Sequence, residues 1–254
     1  MTTTLAFLSE FADGIEFIFS SRESNTGGVQ VGGSQLLDLL WEHLKLSGVA
    51  VVISCLVAVP LALWLGHIGR GELLATSVAN VGRAVPTLAV IAFFIAYLGV
   101  GFTNVALALV LLAIPPILTN TYVAVRQVDR EVVDAARGMG LSAVQVVRKV
   151  ELPMALPGIF AGIRTSVVNV VATATIAPLG GVITLGDPII NSSVYGDAGR
   201  LGASIVVAVL AVGTELVFAG LQRAVTPRGL KLQSGDAPRR RPFAFPKRRI
   251  QTSP

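Results

Sequence analysis

Charged residues are scarce in this sequence of 254 residues. Asp, Glu, Lys and Arg make up 14% of it, whereas hydrophobic residues make up 53%. A soluble domain would carry charge at about a quarter of its positions. The composition therefore argues against two soluble domains and predicts a polytopic membrane protein with a single membrane domain.

Residues suited to metal binding or covalent catalysis are equally few. Cys55 is the single cysteine and lies in an apolar run, which excludes an intrachain disulfide and a cysteine-based metal site. We interpret it as a buried, inert thiol. Both histidines, His43 and His67, lie near predicted membrane boundaries, and neither His-Glu-x-x-His nor Gly-x-Ser-x-Gly occurs. We therefore predict no catalytic residue and no metal site, which disfavours an intramembrane hydrolase.

What the sequence does contain is long apolar runs. A membrane-spanning helix needs about 20 apolar residues, and five segments are long enough: residues 46–66, 73–99, 105–125, 155–179 and 202–221. Backbone groups in lipid must bond internally, and these lengths fit helices better than barrel strands. The sequence predicts an all-α membrane protein with five transmembrane helices, in which Pro60, Pro86, Pro115 and Pro116 produce kinks.

The charges are distributed unevenly along the chain. The segment before the first span is mainly acidic, whereas the loop between the third and fourth spans and the C-terminal end are basic. The positive-inside rule places these basic parts in the cytoplasm and the N-terminus outside. Because the basic residues lie where topology requires them, the positive net charge does not indicate a nucleic-acid partner.

The two ends of the chain lie outside the predicted membrane domain of residues 36–225. We expect residues 1–35 to be extracytoplasmic: an amphipathic helix on the outer membrane surface, then a flexible Gly/Ser-rich linker at 20–34. A sixth span is the alternative, and the missing basic n-region argues against a signal peptide. The apolar face of this helix is predicted from helical spacing as Leu5, Leu8, Ala12, Ile15 and Phe19.

The C-terminal residues 226–254 are basic and rich in proline, with little to bury. We predict a disordered cytoplasmic tail, solvated as a topology flank. Contact with anionic membrane lipid is the alternative.

The cytoplasmic loop at 127–153 has the pattern of two short helices. Asp129 is a predicted N-cap, and glycines at 138 and 140 are predicted to end the first helix. Ser142 and Gln145 have the spacing of a capping box for the second helix. Pro153 is predicted to stop that helix.

This loop resembles the signature loop of ATP-binding-cassette (ABC) import permeases. The family pattern is Glu-Ala-Ala, three residues, Gly, nine residues, Ile, one residue, Leu-Pro. Here Asp134-Ala135-Ala136 is followed, with every gap preserved, by Gly140, Val150 and Leu152-Pro153. Asp replaces Glu and Val replaces Ile, both conservatively. The resemblance implies the fold of a type I ABC importer permease, the MetI-like fold, with this loop as its coupling helix.

In that family the coupling helix fits a cleft on a cytoplasmic ATPase, so the resemblance implies an ATPase dimer as partner. The residues that carry this expectation are Asp134, Ala135, Ala136, Gly138, Gly140, Leu141, Val150, Leu152 and Pro153. The chain has no Gly-x-x-x-x-Gly-Lys-Ser/Thr loop, so it is not itself the P-loop ATPase. ATP and Mg are expected on the partner, and no cofactor is expected in this chain.

The family also implies a second permease chain, identical or homologous, an extracytoplasmic solute-binding protein and a location in the bacterial inner membrane. A wider similarity, over about residues 40–215, is to permeases for glycine betaine, carnitine, choline and proline. The run from Glu151 to Thr165 carries most of it, whereas residues 179–190 depart from the family's glycine-rich pattern. An ABC import permease for methionine, sulfonates or phosphate is the alternative. A secondary transporter, which would lack the docking loop, is disfavoured.

Polar residues within the predicted spans are candidates for a translocation pathway. They are Arg83, Asn120, Arg164, Asn169, Thr173 and Glu215. Ionisable groups at membrane depth are costly and face a cavity or a partner. For each candidate a structural alternative remains open: Arg83 as a cytoplasmic flank, Arg164 snorkelling, Glu215 paired with an arginine, and the uncharged residues bonding between helices.

Overall fold

The computed structural model describes residues 2–226, apart from the side chains of residues 2–8 and of Arg83. The predicted basic tail therefore lies, beyond residue 226, outside the described residues. The described chain is almost entirely helical. Its helices are α1 (Thr2–Phe19), α2 (Gln35–His67), α3 (Glu72–Ala84), α4 (Thr87–Leu98), α5 (Phe102–Arg126), α6 (Arg130–Gly138), α7 (Ala143–Val146), α8 (Leu152–Thr173), α9 (Asp187–Ile190) and α10 (Ser192–Val225).

Four helical segments in the described part are long and apolar enough to cross a membrane. They are Gln35–His67, Phe102–Arg126, Ala143–Gly180 and Ser192–Val225. A fifth span exists if α3 and α4 count as one. These segments contain the five spans predicted from the sequence, and α1 is not among them.

The predicted second span differs from the single helix expected over residues 73–99. It forms α3 and α4, which meet at an angle of 88°. Val85 between them is extended (φ −78°, ψ 119°), as a residue before proline tends to be, and Pro86 precedes the first turn of α4. Pro60, Pro115 and Pro116, in contrast, lie inside continuous helices.

The centre of the bundle is formed by α2, α5 and α8, with α3 and α4 packed against α5. Close approach of α8 to α5 depends on Gly158 and Gly162, one turn apart. A Cβ at Gly158 would lie 2.4 Å from the Cβ of Ala124, and one at Gly162 would lie 2.8 Å from the Cβ of Asn120. Small residues at this spacing let membrane helices pack backbone to backbone. Cys55 is half-buried against this core, as a free thiol.

The N-terminal region is more ordered than the sequence suggested. Residues 20–34, expected as a flexible linker, contain an antiparallel hairpin of β1 (Ser21–Glu23) and β2 (Gln30–Gly32). The side of α1 that packs within the chain differs from the predicted apolar face, because Phe19 is 79% exposed while Phe17 is buried. The buried side of α1, with Gly14 and Phe17, packs on α10 at Leu201 and Gly202.

Hydrogen bonds hold the hairpin onto the first turn of α10. Arg22 Nη2 donates to the carbonyl of Tyr195 at 2.8 Å, and Ser24 Oγ donates to that of Val194 at 3.0 Å. These tertiary bonds replace the flexibility expected from a Gly/Ser-rich composition.

Candidate functional site

The coupling segment, residues 127–153, folds as a small unit with a core of its own. Val128, Val133, Ala136 and Val146 are buried together, and Leu141, Val150 and Met154 pack against them. The segment connects the C-terminal end of α5 to the N-terminal end of α8.

The predicted helix start and turn of this unit are confirmed. Asp129 caps α6, because its carboxylate accepts a hydrogen bond from the backbone N–H of Glu131 at 2.9 Å. Gly138 is the last residue of α6, and Gly140 has φ +84°. A Cβ at Gly140 would meet nothing within 4 Å, so the turn requires glycine for its backbone conformation and not for space.

The second short helix begins as predicted but does not end as predicted. Ser142 and Gln145 form the capping box, with Gln145 Oε1 accepting from the backbone N–H of Ser142 at 2.8 Å. Pro153, however, does not stop the helix. A π-helical turn, Val147–Glu151, joins α7 to α8, and the N–H of Leu152 reaches back to the carbonyl of Val147. The wider turn accommodates a proline without breaking the run.

The structure divides the nine predicted coupling residues into two groups. Asp134, Ala135, Gly138 and Gly140 are exposed. Ala136, Leu141 and Val150 instead contribute to the small core, Leu152 packs where α5 meets α8, and Pro153 lies half-buried at the start of α8. The first group is available to a partner, and the second group shapes the surface that carries it.

Two exposed apolar residues beside this surface were not among the predicted coupling residues. Met139 is 74% exposed and Val144 is 61% exposed, on either side of the Gly140 turn. Met139 could have been selected from the sequence, because it is an apolar residue between two glycines in a polar turn. Asp134 and Arg137 flank the patch with their side chains 3.6 Å apart. An apolar patch with charged neighbours is typical of a docking surface.

Of the pathway candidates, the structure joins Arg164 and Glu215. Arg164 Nε donates to Glu215 Oε1 at 2.8 Å, and a second bond runs from Nη2 to the same oxygen. Gln222, which no sequence pattern singles out, extends the network: it accepts from Arg164 Nη1 at 3.3 Å and donates to the carbonyl of Pro157 at 3.1 Å. The predicted arginine partner of Glu215 is therefore present, and it ties α8 to α10.

The other candidates are not brought into this network. Asn120 lies where α5 meets α8 and donates to the carbonyl of Pro116 in its own helix at 2.8 Å. Asn169 is exposed and Thr173 half-buried on α8. The side chain of Arg83 lies outside the described part of the chain.

A second buried polar contact was missed by sequence reasoning altogether. Glu151, in the π-helical turn, is fully buried, and its Oε2 lies 2.8 Å from Nδ1 of His67 at the end of α2. A glutamate next to a Leu-Pro pair at a membrane boundary looks like a surface residue in sequence. Only the path of α2 shows that it is enclosed.

Known proteins resemble this chain in both sequence and fold. Residues 50–230 match the family described as "Binding-protein-dependent transport system inner membrane component". The chain is 37% identical over 204 residues to the choline transport system permease protein OpuBB of Bacillus subtilis (strain 168), covering 80% of this chain and 94% of that protein. It is 38% identical over 203 residues to the carnitine transport permease protein OpuCB of Listeria monocytogenes, covering 80% and 93%.

Among solved structures, a chain of the inward-facing MetNI methionine ABC transporter superposes with a TM-score of 0.66 at 22% identity. The match covers 76% of this chain and 96% of that chain. It confirms the predicted type I importer fold. With a family match over most of its length and relatives above 30% identity, this chain belongs to the family of binding-protein-dependent transport system inner membrane components.

Proposed function

We propose that this chain is the transmembrane permease subunit of an ABC importer for osmoprotectants, with the quaternary amines choline, glycine betaine and carnitine, and also proline, as the candidate substrates. The observation that carries the proposal is the match to the choline permease OpuBB, at 37% identity over 80% of this chain. Further relatives are named for glycine betaine, carnitine and choline. The alternative of methionine, sulfonate or phosphate is not favoured, because the likeness to a methionine transporter is at 22% identity and concerns the fold.

Coupling to ATP hydrolysis is assigned to the exposed surface of the coupling segment. Its exposed residues Asp134, Ala135, Met139 and Val144 would enter a cleft on a cytoplasmic ATPase, which binds ATP and Mg. This chain then acts as a non-catalytic subunit. Closure of two ATPases around nucleotide would carry the coupling segment with it and favour one orientation of the bundle.

We infer the orientation in the membrane from which ends lie together and from the basic charge of the coupling segment and the C-terminal end. The C-terminal end of α10 lies beside the start of α8 through the bond from Gln222 to Pro157, and the end of α2 lies beside the coupling segment through His67. We therefore place the coupling segment and the C-terminus in the cytoplasm. The N-terminal helix and hairpin then lie at the opposite end, where a solute-binding protein delivers substrate.

A second permease chain is assigned to the face formed by α8 and α10. The side chains of Arg164 and Glu215 are 34% and 39% exposed there. An ion pair at membrane depth that is partly exposed is costly against lipid and is better covered by protein or a water-filled path. The covering chain is a second copy of this chain or a homologous permease.

Uptake of labelled choline and glycine betaine tests the substrate class. The permease is expressed with its neighbouring ATPase and binding-protein genes in cells that lack their own importers. Carnitine, proline and methionine serve as competitors. We expect ATP-dependent uptake that the quaternary amines block and methionine does not. Uptake blocked by methionine alone would reject the proposed substrates and leave the importer architecture in place.

Gly140→Asp tests the docking surface. The left-handed backbone at Gly140 disfavours an aspartate side chain, and the added charge sits beside the docking patch. We expect the variant to insert in the membrane but to lose co-purification with the ATPase. Gly28→Asp is the matched control, because Gly28 has φ +76° and open space in the hairpin at the other end. Full-yield co-purification and normal uptake by Gly140→Asp would reject the docking surface.

Mass measurement of the purified complex decides between one and two kinds of permease chain.

A further inference from the structure

The contact between His67 and Glu151 joins two parts of the molecule that the chain does not join directly. His67 is the last residue of α2, which continues into α3, whereas Glu151 belongs to the turn between α7 and α8. Their side chains meet at 2.8 Å, with His67 12% exposed and Glu151 fully buried. The coupling segment is continuous with α5 on one side and α8 on the other. Its connection to α2 must therefore run through side chains.

Stability alone is a poor reason for this pair. The second carboxylate oxygen of Glu151, Oε1, is buried and has no hydrogen-bond partner among the described residues. A buried carboxylate that is only half satisfied costs free energy. Replacing a buried ion pair by apolar residues of similar volume is often neutral or stabilising. Because burying this pair costs free energy, and because it lies where the coupling segment meets α8, we look for its role in the movement of that segment.

The local backbone places Glu151 for this contact. The π-helical turn Val147–Glu151 contains one more residue than an α-helical turn, which changes the direction of the side chains that follow it. Pro153 lies two residues on, at the start of α8. The turn directs the Glu151 side chain toward the end of α2, while Arg148 and Lys149 of the same turn stay exposed.

We propose that His67 and Glu151 are positioning residues that tie α2 to the coupling segment, so that movement of the segment is transmitted to α2. This inference rests on the proposed function, since it assumes that a partner ATPase moves the segment. α2 has 33 residues, about 50 Å at the rise of an α-helix, and it reaches the opposite end of the bundle. A tie at one end of such a rod moves its other end. α2 also packs along α5 and α8, and the tie adds a direct contact between its end and the coupling segment.

The test is a double variant, His67→Leu with Glu151→Leu, in the reconstituted complex with its ATPase and binding protein. Because it removes the charge and its partner together, we expect the complex to assemble and hydrolyse ATP. Uptake of labelled choline per ATP hydrolysed should fall by about fivefold, within the range of measured coupling effects. Glu151→Gln, which keeps an acceptor for His67, should retain most of the uptake per ATP.

Tyr195→Phe is the matched control. It removes a tertiary hydrogen bond of similar length, from Tyr195 Oη to Asp187 Oδ2 at 2.7 Å, at the opposite end of the bundle. We expect it to leave uptake per ATP unchanged. An unchanged ratio in the double variant would overturn the proposal, and so would a loss in Glu151→Gln as large as in the double variant.

A second readout needs no substrate, and it separates failure of this proposal from failure of the proposed substrate class. Nitroxide labels are placed at Trp64→Cys on α2 and Thr165→Cys on α8, both exposed, in a Cys55→Ser background. When ATP and vanadate trap the closed ATPase, we expect the distance between the labels to stay constant in the parent protein. It should change or broaden in the double variant. The same behaviour in both proteins would overturn the tie even if choline is not transported.

Discussion

α5 and α10 are similarly apolar, yet they occupy opposite situations in the bundle. In their most apolar windows, 56% of α5 is buried inside the chain but only 11% of α10. α5 is surrounded by α2, α3, α4 and α8, whereas α10 contacts α8, α1 and the short α9. Apolarity alone identifies a membrane span without telling whether it faces protein or lipid. In membranes that choice is made by side-chain size and polar contacts.

Glycine shows the difference most directly. Gly162 of α8 faces α5 so closely that a Cβ there would lie 2.9 Å from the carbonyl oxygen of Pro116. At Gly213 of α10 a Cβ would meet nothing within 4 Å. Glycine thus allows close helix contact at position 162, whereas at position 213 it has no packing role among the described residues.

The largest expected effect is the difference in stability between two variants in which one of these glycines is replaced by leucine. Gly162→Leu forces α8 away from α5, and we expect a loss of stability of at least about 3 kcal/mol. Gly213→Leu should change the stability of the isolated chain by no more than about 1 kcal/mol. Thermal unfolding of the detergent-solubilised chain measures both. Equal losses would show that α10 is packed as tightly as α5.

Breaking the ion pair between α8 and α10 should have a smaller effect, which depends on whether one or both partners are removed. Arg164→Leu or Glu215→Leu leaves one charge without its partner at membrane depth, so each single variant should lower the yield of folded protein. The double variant should recover yield, because no lone charge remains. The monodisperse fraction after solubilisation reports both results. Uptake by the stable double variant then tests whether Arg164 and Glu215 take part in translocation. Normal uptake would show that the pair has only a structural role.

The smallest effect is expected for a single hydroxyl. Ser166 is buried and donates to the carbonyl of Ala113 across the contact between α8 and α5 at 2.8 Å. Ser166→Ala should cost about 1 kcal/mol. Ser204 of α10 donates to the carbonyl of Arg200 in its own helix, and this bond is exposed, so Ser204→Ala should cost less than about 0.5 kcal/mol. Urea titration of the two variants compares them, and a larger loss for Ser204→Ala would reverse the assignment of the two helices.

Much of the coupling segment was predictable because its signals are local. The cap at Asp129, the capping box at Ser142 and the left-handed Gly140 each depend on a few neighbouring residues, and each is present as predicted. Pro153 shows where local reasoning fails. A proline has a strong tendency to end a helix, but a π-helical turn before it lets the helix continue into α8. That outcome depends on the packing of α8, which no window of the sequence contains.

The sequence by itself determined the apolar spans, the position of the coupling segment and the family, since these depend on composition and on fixed spacings along the chain. Tertiary structure decided which spans are central, that α3 and α4 meet at 88°, and that a Gly/Ser-rich stretch forms a hairpin on α10's first turn. It also decided that Glu151 is buried against His67 and that Glu215 pairs with Arg164. These two side-chain pairs join residues 84 and 51 positions apart, respectively. Their energies arise only when distant helices meet, so a local pattern cannot encode them.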